Sequence, residues 1–110
     1  MTLDIYHVTL DMIEQVAPVA RHVDRCDQDL ARQMRRAAAS VSLNCAEAAY
    51  SQGKNANARF YSAMASANEV LACLDVAHRF GYVARIDEGL RDKLDRIVAT
   101  MRKLTRRPSR

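Results

Sequence analysis

Three carboxylates and a histidine between residues 47 and 78 offer the first candidate chemistry. Asp75 and His78 stand three residues apart, and Glu47 and Glu69 lie in two separate alanine-rich stretches. Di-metal sites in helical bundles use Glu-x-x-His pairs on facing helices, and paired carboxylates can perform general acid–base catalysis. The chain contains one approximation to the metal motif, and each glutamate has an arginine as an alternative partner. The sequence therefore predicts no enzyme, no metal site and no cofactor.

The cysteines point the same way. Cys26, Cys45 and Cys73 are odd in number, and none of them forms a CxxC pair. Structural zinc sites use closely spaced ligand pairs, which this pattern lacks. Cys45 and Cys73 lie among small residues, where a free cysteine usually packs as a small hydrophobe. We expect free thiols with a structural role.

Length and composition restrict the class of protein. A chain of 110 residues is expected to form one domain, and three glycines, two prolines and eighteen alanines favour helix nearly throughout. No apolar run approaches the ~20 residues that span a membrane. The N-terminus has no basic region ahead of a hydrophobic segment, so no secretory signal is predicted. We expect an all-α cytoplasmic protein without a membrane partner.

Polar residues recur at helical spacing through the two alanine-rich stretches. They are Arg36, Ser40, Asn44 and Glu47 in the first stretch, and Arg59, Ser62, Ser66 and Glu69 in the second. On a helix of 3.6 residues per turn, each set lies along one face. Both sets run from arginine to glutamate along the chain, so an antiparallel hairpin would pair Arg36 with Glu69, Ser40 with Ser66, Asn44 with Ser62, and Glu47 with Arg59. We interpret them as a structural polar ladder, in which breaking a partly buried ion pair would cost ~3 kcal/mol or more. The alternative is a solvated face, on which an exposed ion pair is worth under ~1 kcal/mol.

Four helices are predicted to position this ladder. The first runs over about residues 3–25 and is bent at Pro18; its core-facing residues are predicted to be Tyr6, Leu10, Ile13, Ala17 and Ala20, with Val23 as a further candidate. The second runs to about residue 51 from a cap at Asp27 or Asp29; its seam is Leu30, Met34, Ala37, Val41, Asn44 and Ala48.

The third and fourth helices have clearer apolar seams. The third is predicted over about residues 56–80, with Gly81 ending it and a seam of Phe60, Ala63, Ala67, Val70, Leu74 and Ala77. The fourth begins after a cap at Asp87, and its seam is Leu90, Leu94, Ile97, Met101 and Leu104. Because short connections favour antiparallel neighbours, the fold predicted for residues 1–104 is an up-down-up-down four-helix bundle. Residues 105–110 form a basic C-terminal tail.

Positive charge is concentrated at the C-terminus. Residues 1–101 contain twelve Lys or Arg and thirteen Asp or Glu, whereas residues 102–110 hold five basic residues and no acid. A basic tail can contact phosphates through a sequence-independent electrostatic attraction. The candidate contacts are Arg102, Lys103, Arg106, Arg107, Arg110 and, on the second helix, Arg35. The alternative is a helix C-terminus whose cations favour the helix dipole, followed by a solvated end.

The central stretches contain more alanine than one bundle seam requires. Thirteen of the eighteen alanines lie between Ala37 and Ala77, and a bundle helix needs only about three apolar residues in seven. The alanines outside the predicted seam are Ala31, Ala38, Ala49, Ala58 and Ala72. The surplus predicts contact with another subunit.

The central residues also carry a family resemblance. The runs QMRRAAASVSLNCAEA (33–48) and RFYSAMASANEVLACLDVAHRFGY (59–82) resemble the 23S rRNA intervening-sequence protein family of four-helix bundle proteins. That family is related to the accessory variability protein of diversity-generating retroelements. The resemblance implies a homo-oligomer, typically a pentamer, and the retroelement relatives bind nucleic acid through a basic surface.

Three functions follow as hypotheses. The first is a non-enzymatic, homopentameric scaffold that associates with RNA or DNA through its basic tail. The second is a structural or protein-interaction oligomer whose tail binds no nucleic acid. The third is a small enzyme with a site between subunits.

Overall fold

The computed structural model describes residues 3–51 and 54–105, apart from the side chains of Leu3 and Lys54. Within these ranges the chain forms four α-helices and no strand: α1 (Leu3–Asp24), α2 (Gln28–Tyr50), α3 (Lys54–Arg79) and α4 (Glu88–Thr105). Each helix packs against the next one in the chain, and α4 also packs against α1. The result is a rod of 48 × 22 × 19 Å. The all-α prediction is confirmed. Between the predicted second and third helices, Gln52 and Gly53 lie outside the described ranges, and α3 already begins at Lys54.

Asp27 and Tyr82 connect the start of α2 to the end of α3. Asp27 Oδ1 accepts the Leu30 N–H at 3.0 Å, which satisfies a backbone donor of the first turn as an N-cap does. Asp27 Oδ2 accepts the Tyr82 hydroxyl at 3.1 Å. Gly81, with φ at +81°, lets the Tyr82 N–H reach back to the Ala77 carbonyl at 2.9 Å, a Schellman ending. One carboxylate therefore starts α2 and anchors the chain that leaves α3.

The predicted seams of α3 and α4 are confirmed as core, apart from Leu104, which is half-buried. In α2 the predicted seam is buried except at Asn44, which is half-buried, and the neighbouring Cys45 takes the core position. The prediction that Asn44 lies in the core was wrong. Successive residues of a helix point about 100° apart, so Cys45 faces the core and Asn44 does not. The amide remains beside its polar partners and the apolar thiol turns inward. None of the described helices combines the length and the apolar character needed to cross a membrane.

The predicted core face of α1 was wrong by one residue over most of the helix. The buried residues are Ile5, Thr9, Met12, Val16, Ala20 and Val23. Tyr6, Ile13 and Ala17 are half-buried, and Leu10 is exposed. Two adjacent apolar stripes run along α1, and the stripe with a polar residue in it is the buried one. Thr9 fits in the core because its hydroxyl donates to the Tyr6 carbonyl and accepts from Ser42 Oγ at 3.0 Å.

The surplus alanines divide into two groups. Ala31 and Ala38 are buried within the chain's own core, so they are not available to a second subunit. Ala49 is half-buried, whereas Ala58 and Ala72 are exposed. The prediction of an intersubunit contact therefore rests on the exposed members only.

The buried Thr9–Ser42 pair generates a stability prediction. Thr9→Val should lower the free energy of unfolding by roughly 1–3 kcal/mol, because the buried Ser42 hydroxyl loses its acceptor. Adding Ser42→Ala removes the orphaned donor, so the double variant should recover part of the loss. Urea unfolding measures both effects, and Thr100→Val on α4, at a half-buried position, is the matched control. Losses that simply add in the double variant would contradict the pairing.

Candidate functional site

A hydrogen-bonded serine pair lies at the centre of the cleft between α2 and α3. Ser66 Oγ donates to Ser40 Oγ at 2.7 Å. Asn44 Nδ2 donates to the Ser40 carbonyl at 2.9 Å and to Ser40 Oγ at 3.0 Å. These three side chains are partly buried, so their hydrogen bonds are shielded from competing water. The cleft is therefore held by directional contacts between helices that are otherwise rich in alanine.

An ion pair continues the polar ladder towards the α2–α3 connection. Arg59 Nη1 lies 3.2 Å from Glu47 Oε1, with about half of each side chain exposed, and 3.5 Å from Asn44 Oδ1. An ion pair this exposed contributes roughly 0–1 kcal/mol. The ~3 kcal/mol expected for a partly buried pair does not apply at Glu47 and Arg59.

Arg36 and Glu69 lie in the same cleft, but no ion pair joins them in the described part of the chain. Both line a cavity of about 220 Å³ together with Gln33, Ala37, Ser40 and Ser66. Within the described part of the chain, neither side chain forms an ion pair. Ser62 is exposed and lines a separate cavity of about 260 Å³ beside Arg59; Asn44 bonds to Ser40 and Arg59 instead of Ser62. The hairpin aligns the predicted partners but leaves one cation and one anion of the cleft outside the described ion pairs.

The candidate phosphate contacts lie in different environments. Arg102 and Lys103 are exposed in the last turn of α4, where cations also interact favourably with the helix dipole. Arg35 is exposed, but its Nη1 lies 3.8 Å from Asp24 Oδ1. The other three tail arginines, Arg106, Arg107 and Arg110, lie outside the described residues. Among the described candidates, Arg102 and Lys103 are therefore the freest to meet a phosphate.

The residues considered for metal chemistry have other partners. Asp75 accepts a charge-assisted hydrogen bond from Arg91, and His78 Nδ1 lies 3.3 Å from the Val83 carbonyl oxygen. Both line an open cavity of about 630 Å³ at the α3–α4 connection, with an apolar part formed by Val76, Phe80 and Ile86. In residues 3–51 and 54–105, no three His, Cys, Asp or Glu side chains converge on a metal-sized space.

The thiols differ in exposure. Cys26 is exposed, whereas Cys45 and Cys73 are buried. Burial raises the pKa of the Cys45 thiol from 9.0 to about 11. Burial, followed by the negative charge of Glu69, raises the pKa of the Cys73 thiol. Because the thiolate is the reactive form, the buried cysteines are chemically inert in the folded chain.

A set of exposed apolar side chains escaped sequence reasoning. Besides Leu10 on α1, the structure exposes five large apolar side chains outside the core, which are Leu43, Tyr50, Tyr61, Val76 and Phe80. All five lie on α2, α3 or the residue after α3. A signal for them was present: Ala58, Ala65 and Ala72 recur every seven residues opposite the α3 seam, a spacing typical of a second contact face.

The thiols provide a pH-dependent prediction. Below pH 9 the Cys45 thiol is protonated in both the folded and unfolded chain, so its contribution to stability is fully present there. Between 9.0 and about 11 the unfolded chain releases this proton and the folded chain keeps it. The free energy of unfolding should therefore fall with rising pH over this range. Urea unfolding from about pH 8 to 11 should show a smaller fall for Cys45→Ala than for the wild type, while Cys26→Ala, altered at the exposed thiol, serves as the control. Equal falls in all three proteins would contradict the shift.

Comparisons with known proteins identify the family of this chain. Residues 1–104 match the family described as 23S rRNA-intervening sequence protein. The fold is similar to the crystal structure of a protein of unknown function from the S23 ribosomal protein family of Bacteroides thetaiotaomicron VPI-5482, with a TM-score of 0.80 and 16% sequence identity over 94% of this chain and 99% of that chain. A comparison with curated proteins finds no match. Because the family match extends over nearly the entire sequence, this chain belongs to the 23S rRNA-intervening sequence protein family.

Proposed function

We propose that the chain is a non-enzymatic, homo-oligomeric bundle that acts as a scaffold associated with RNA or DNA. The observation that carries this proposal is the separation of charge along the sequence. The first 101 residues are nearly balanced, whereas the last nine hold five cations and no acid. Arg102 and Lys103 extend this cationic segment into the exposed last turn of α4. Phosphate contacts of this kind need no base-specific geometry.

The proposed assembly is a pentamer of up-down-up-down bundles. The order of contacts supports the topology within the hairpin, because Ser40 pairs with Ser66 while the later Glu47 pairs with the earlier Arg59. The exposed apolar residues of α2 and α3 support self-association, and the number five comes from the family resemblance. Five copies of the segment 102–110, which holds five cations, would gather twenty-five positive charges. Cyclic symmetry would direct them to the same end of the assembly.

The names of the relatives favour RNA as the first nucleic acid to test. The family is named for a sequence that intervenes in 23S rRNA, and the structural neighbour comes from a family named for a ribosomal protein. A kinship with the accessory variability protein of retroelements, and with it DNA binding, is a further part of the proposal. A cytoplasmic location is also part of the proposal, because cysteines without disulfide bonds are typical of reducing compartments.

A structural or protein-interaction oligomer without nucleic-acid binding is the second candidate. It is favoured by the ion pairing of the body: Arg32, Arg35, Arg59 and Arg91 each lie against a carboxylate of the same chain. These cations are partly neutralised before any phosphate approaches. If these paired arginines of the four-helix bundle do not contact nucleic acid, any binding must come from the C-terminal cations.

Salt-dependent binding tests the proposed function. Full-length protein should bind a labelled single-stranded RNA and a duplex DNA at low salt with little sequence preference. The logarithm of the affinity should fall linearly with the logarithm of salt concentration, by about 0.7 to 0.9 per neutralised phosphate. A chain truncated after Leu104 keeps the apolar seam of α4 and loses Arg106, Arg107 and Arg110, so its binding should be weaker and its salt slope smaller.

Two controls accompany this titration. Arg35→Gln should change the affinity little, because Arg35 is already paired with Asp24. Light scattering on the same samples reports the assembly, and a particle of 12.4 kDa at micromolar concentration would contradict self-association. Absence of binding at low salt by full-length protein would favour the second candidate.

A further inference from the structure

Helix α3 is apolar on two opposite sides. Its core side is the buried seam that begins at Phe60 and ends at Ala77. Its other side exposes Ala58, Tyr61, Ala65, Ala72 and Val76. At about 100° per residue, this second stripe lies half a turn away from the seam. The side of a bundle helix that faces away from the core is ordinarily polar. A second apolar side is usually buried against another surface.

Helix α2 has a matching outer stripe. Ala39, Leu43 and Tyr50 are exposed and Ala46 is half-buried, at spacings that keep them on the side opposite the α2 seam. Leu43 is 65% and Tyr50 is 88% exposed. The polar ladder of the α2–α3 cleft lies between this stripe and the one on α3. We use the term hairpin face for these two outer stripes together with the cleft between them.

The cleft of one chain carries two cations and two anions, and only one cation and one anion are joined in an ion pair. Glu47 and Arg59 neutralise each other within one chain. Arg36 and Glu69 line the same cavity beside Ser40 and Ser66, and neither takes part in an ion pair among the described residues. The cleft therefore offers one cation and one anion that no described ion pair occupies. Such a surface is complementary to a second copy of itself.

We propose that the hairpin face is the docking surface for a second copy of this chain, with Arg36 of each interface pairing with Glu69 of the neighbouring copy. The apolar stripes would supply the buried area, and the charges would fix the orientation. A nucleic acid fits this face poorly because the charges of the cleft cancel and the flanking stripes are uncharged. The inference rests on the self-association in the proposed function and identifies the surface responsible for it.

Charge reversal in separate chains tests the pairing. By light scattering and sedimentation of the full chain, Arg36→Glu and Glu69→Arg should each weaken self-association at least about tenfold, because like charges would then face each other. An equimolar mixture of the two variants should assemble again, since opposite charges meet at every interface that joins one variant to the other. In a ring with an odd number of subunits one interface joins two copies of the same variant, so the recovery there should be incomplete.

Two further variants accompany the reversals. Leu43→Glu should also dissociate the assembly, because it places a charge within the apolar stripe of α2. Arg96→Glu, at an exposed position of α4, is the matched control and should leave the assembly intact.

Each outcome bears on a different claim. If the mixture fails to assemble while a single chain carrying both reversals does, the pair lies within one chain and the inference is wrong. Reversals and Leu43→Glu that leave the mass unchanged would also overturn it, by placing the interface elsewhere. Circular dichroism checks that each variant is folded, and Arg36→Ala and Glu69→Ala replace any reversal that unfolds. A monomeric wild type would instead refute the self-association itself.

Discussion

Hydrogen bonds between small polar side chains constrain the register in which α2 packs against α3. The arrangement of residues on the outer surface of this hairpin depends on that register. Alanine faces are smooth, so their packing discriminates weakly between registers one turn apart. The bonds of Ser40 to Ser66 at 2.7 Å and to Asn44 at 3.0 Å are directional, and a slip of one turn would break the bond between the helices. At the end of the hairpin where α2 begins and α3 ends, the Tyr82 hydroxyl donates to Asp27 Oδ2 at 3.1 Å. Polar contacts of this kind specify register in helical assemblies.

The register determines which residues share a surface. It places Arg36 and Glu69 around one cavity and leaves exposed apolar stripes on both sides of the cleft. The cations of the C-terminal segment belong to another element, because Arg102 and Lys103 lie on α4. The proposed self-association and the proposed phosphate binding therefore involve separate surfaces, one apolar with balanced charges and one cationic. Because the surfaces are separate, each proposal can be tested by substitutions that leave the other surface unchanged.

The sequence predicted elements with strong periodicity and missed features that depend on side-chain ends. Heptad-like seams identified the buried faces of α3 and α4. In α1 the polar Thr9 concealed the buried stripe, because its hydroxyl is satisfied only through the fold, by Tyr6 and Ser42. Spacing aligned the ladder partners on facing helices. It predicted the Glu47–Arg59 ion pair correctly. It did not reveal that Arg36 and Glu69 line one cavity without an ion pair in the described chain, since long flexible side chains can reach several partners.

The most direct measurement is a double-mutant cycle on Ser40 and Ser66 by urea unfolding. Alanine has the higher helix propensity, but that effect belongs to each single substitution and cancels in the cycle. If the serine pair holds the register, the coupling free energy should be favourable and about 0.5–1.5 kcal/mol, the range of a hydrogen bond that replaces contacts with water. Changes that add to within about 0.3 kcal/mol would show that the serines are independent, and the register would then have to be set by apolar packing.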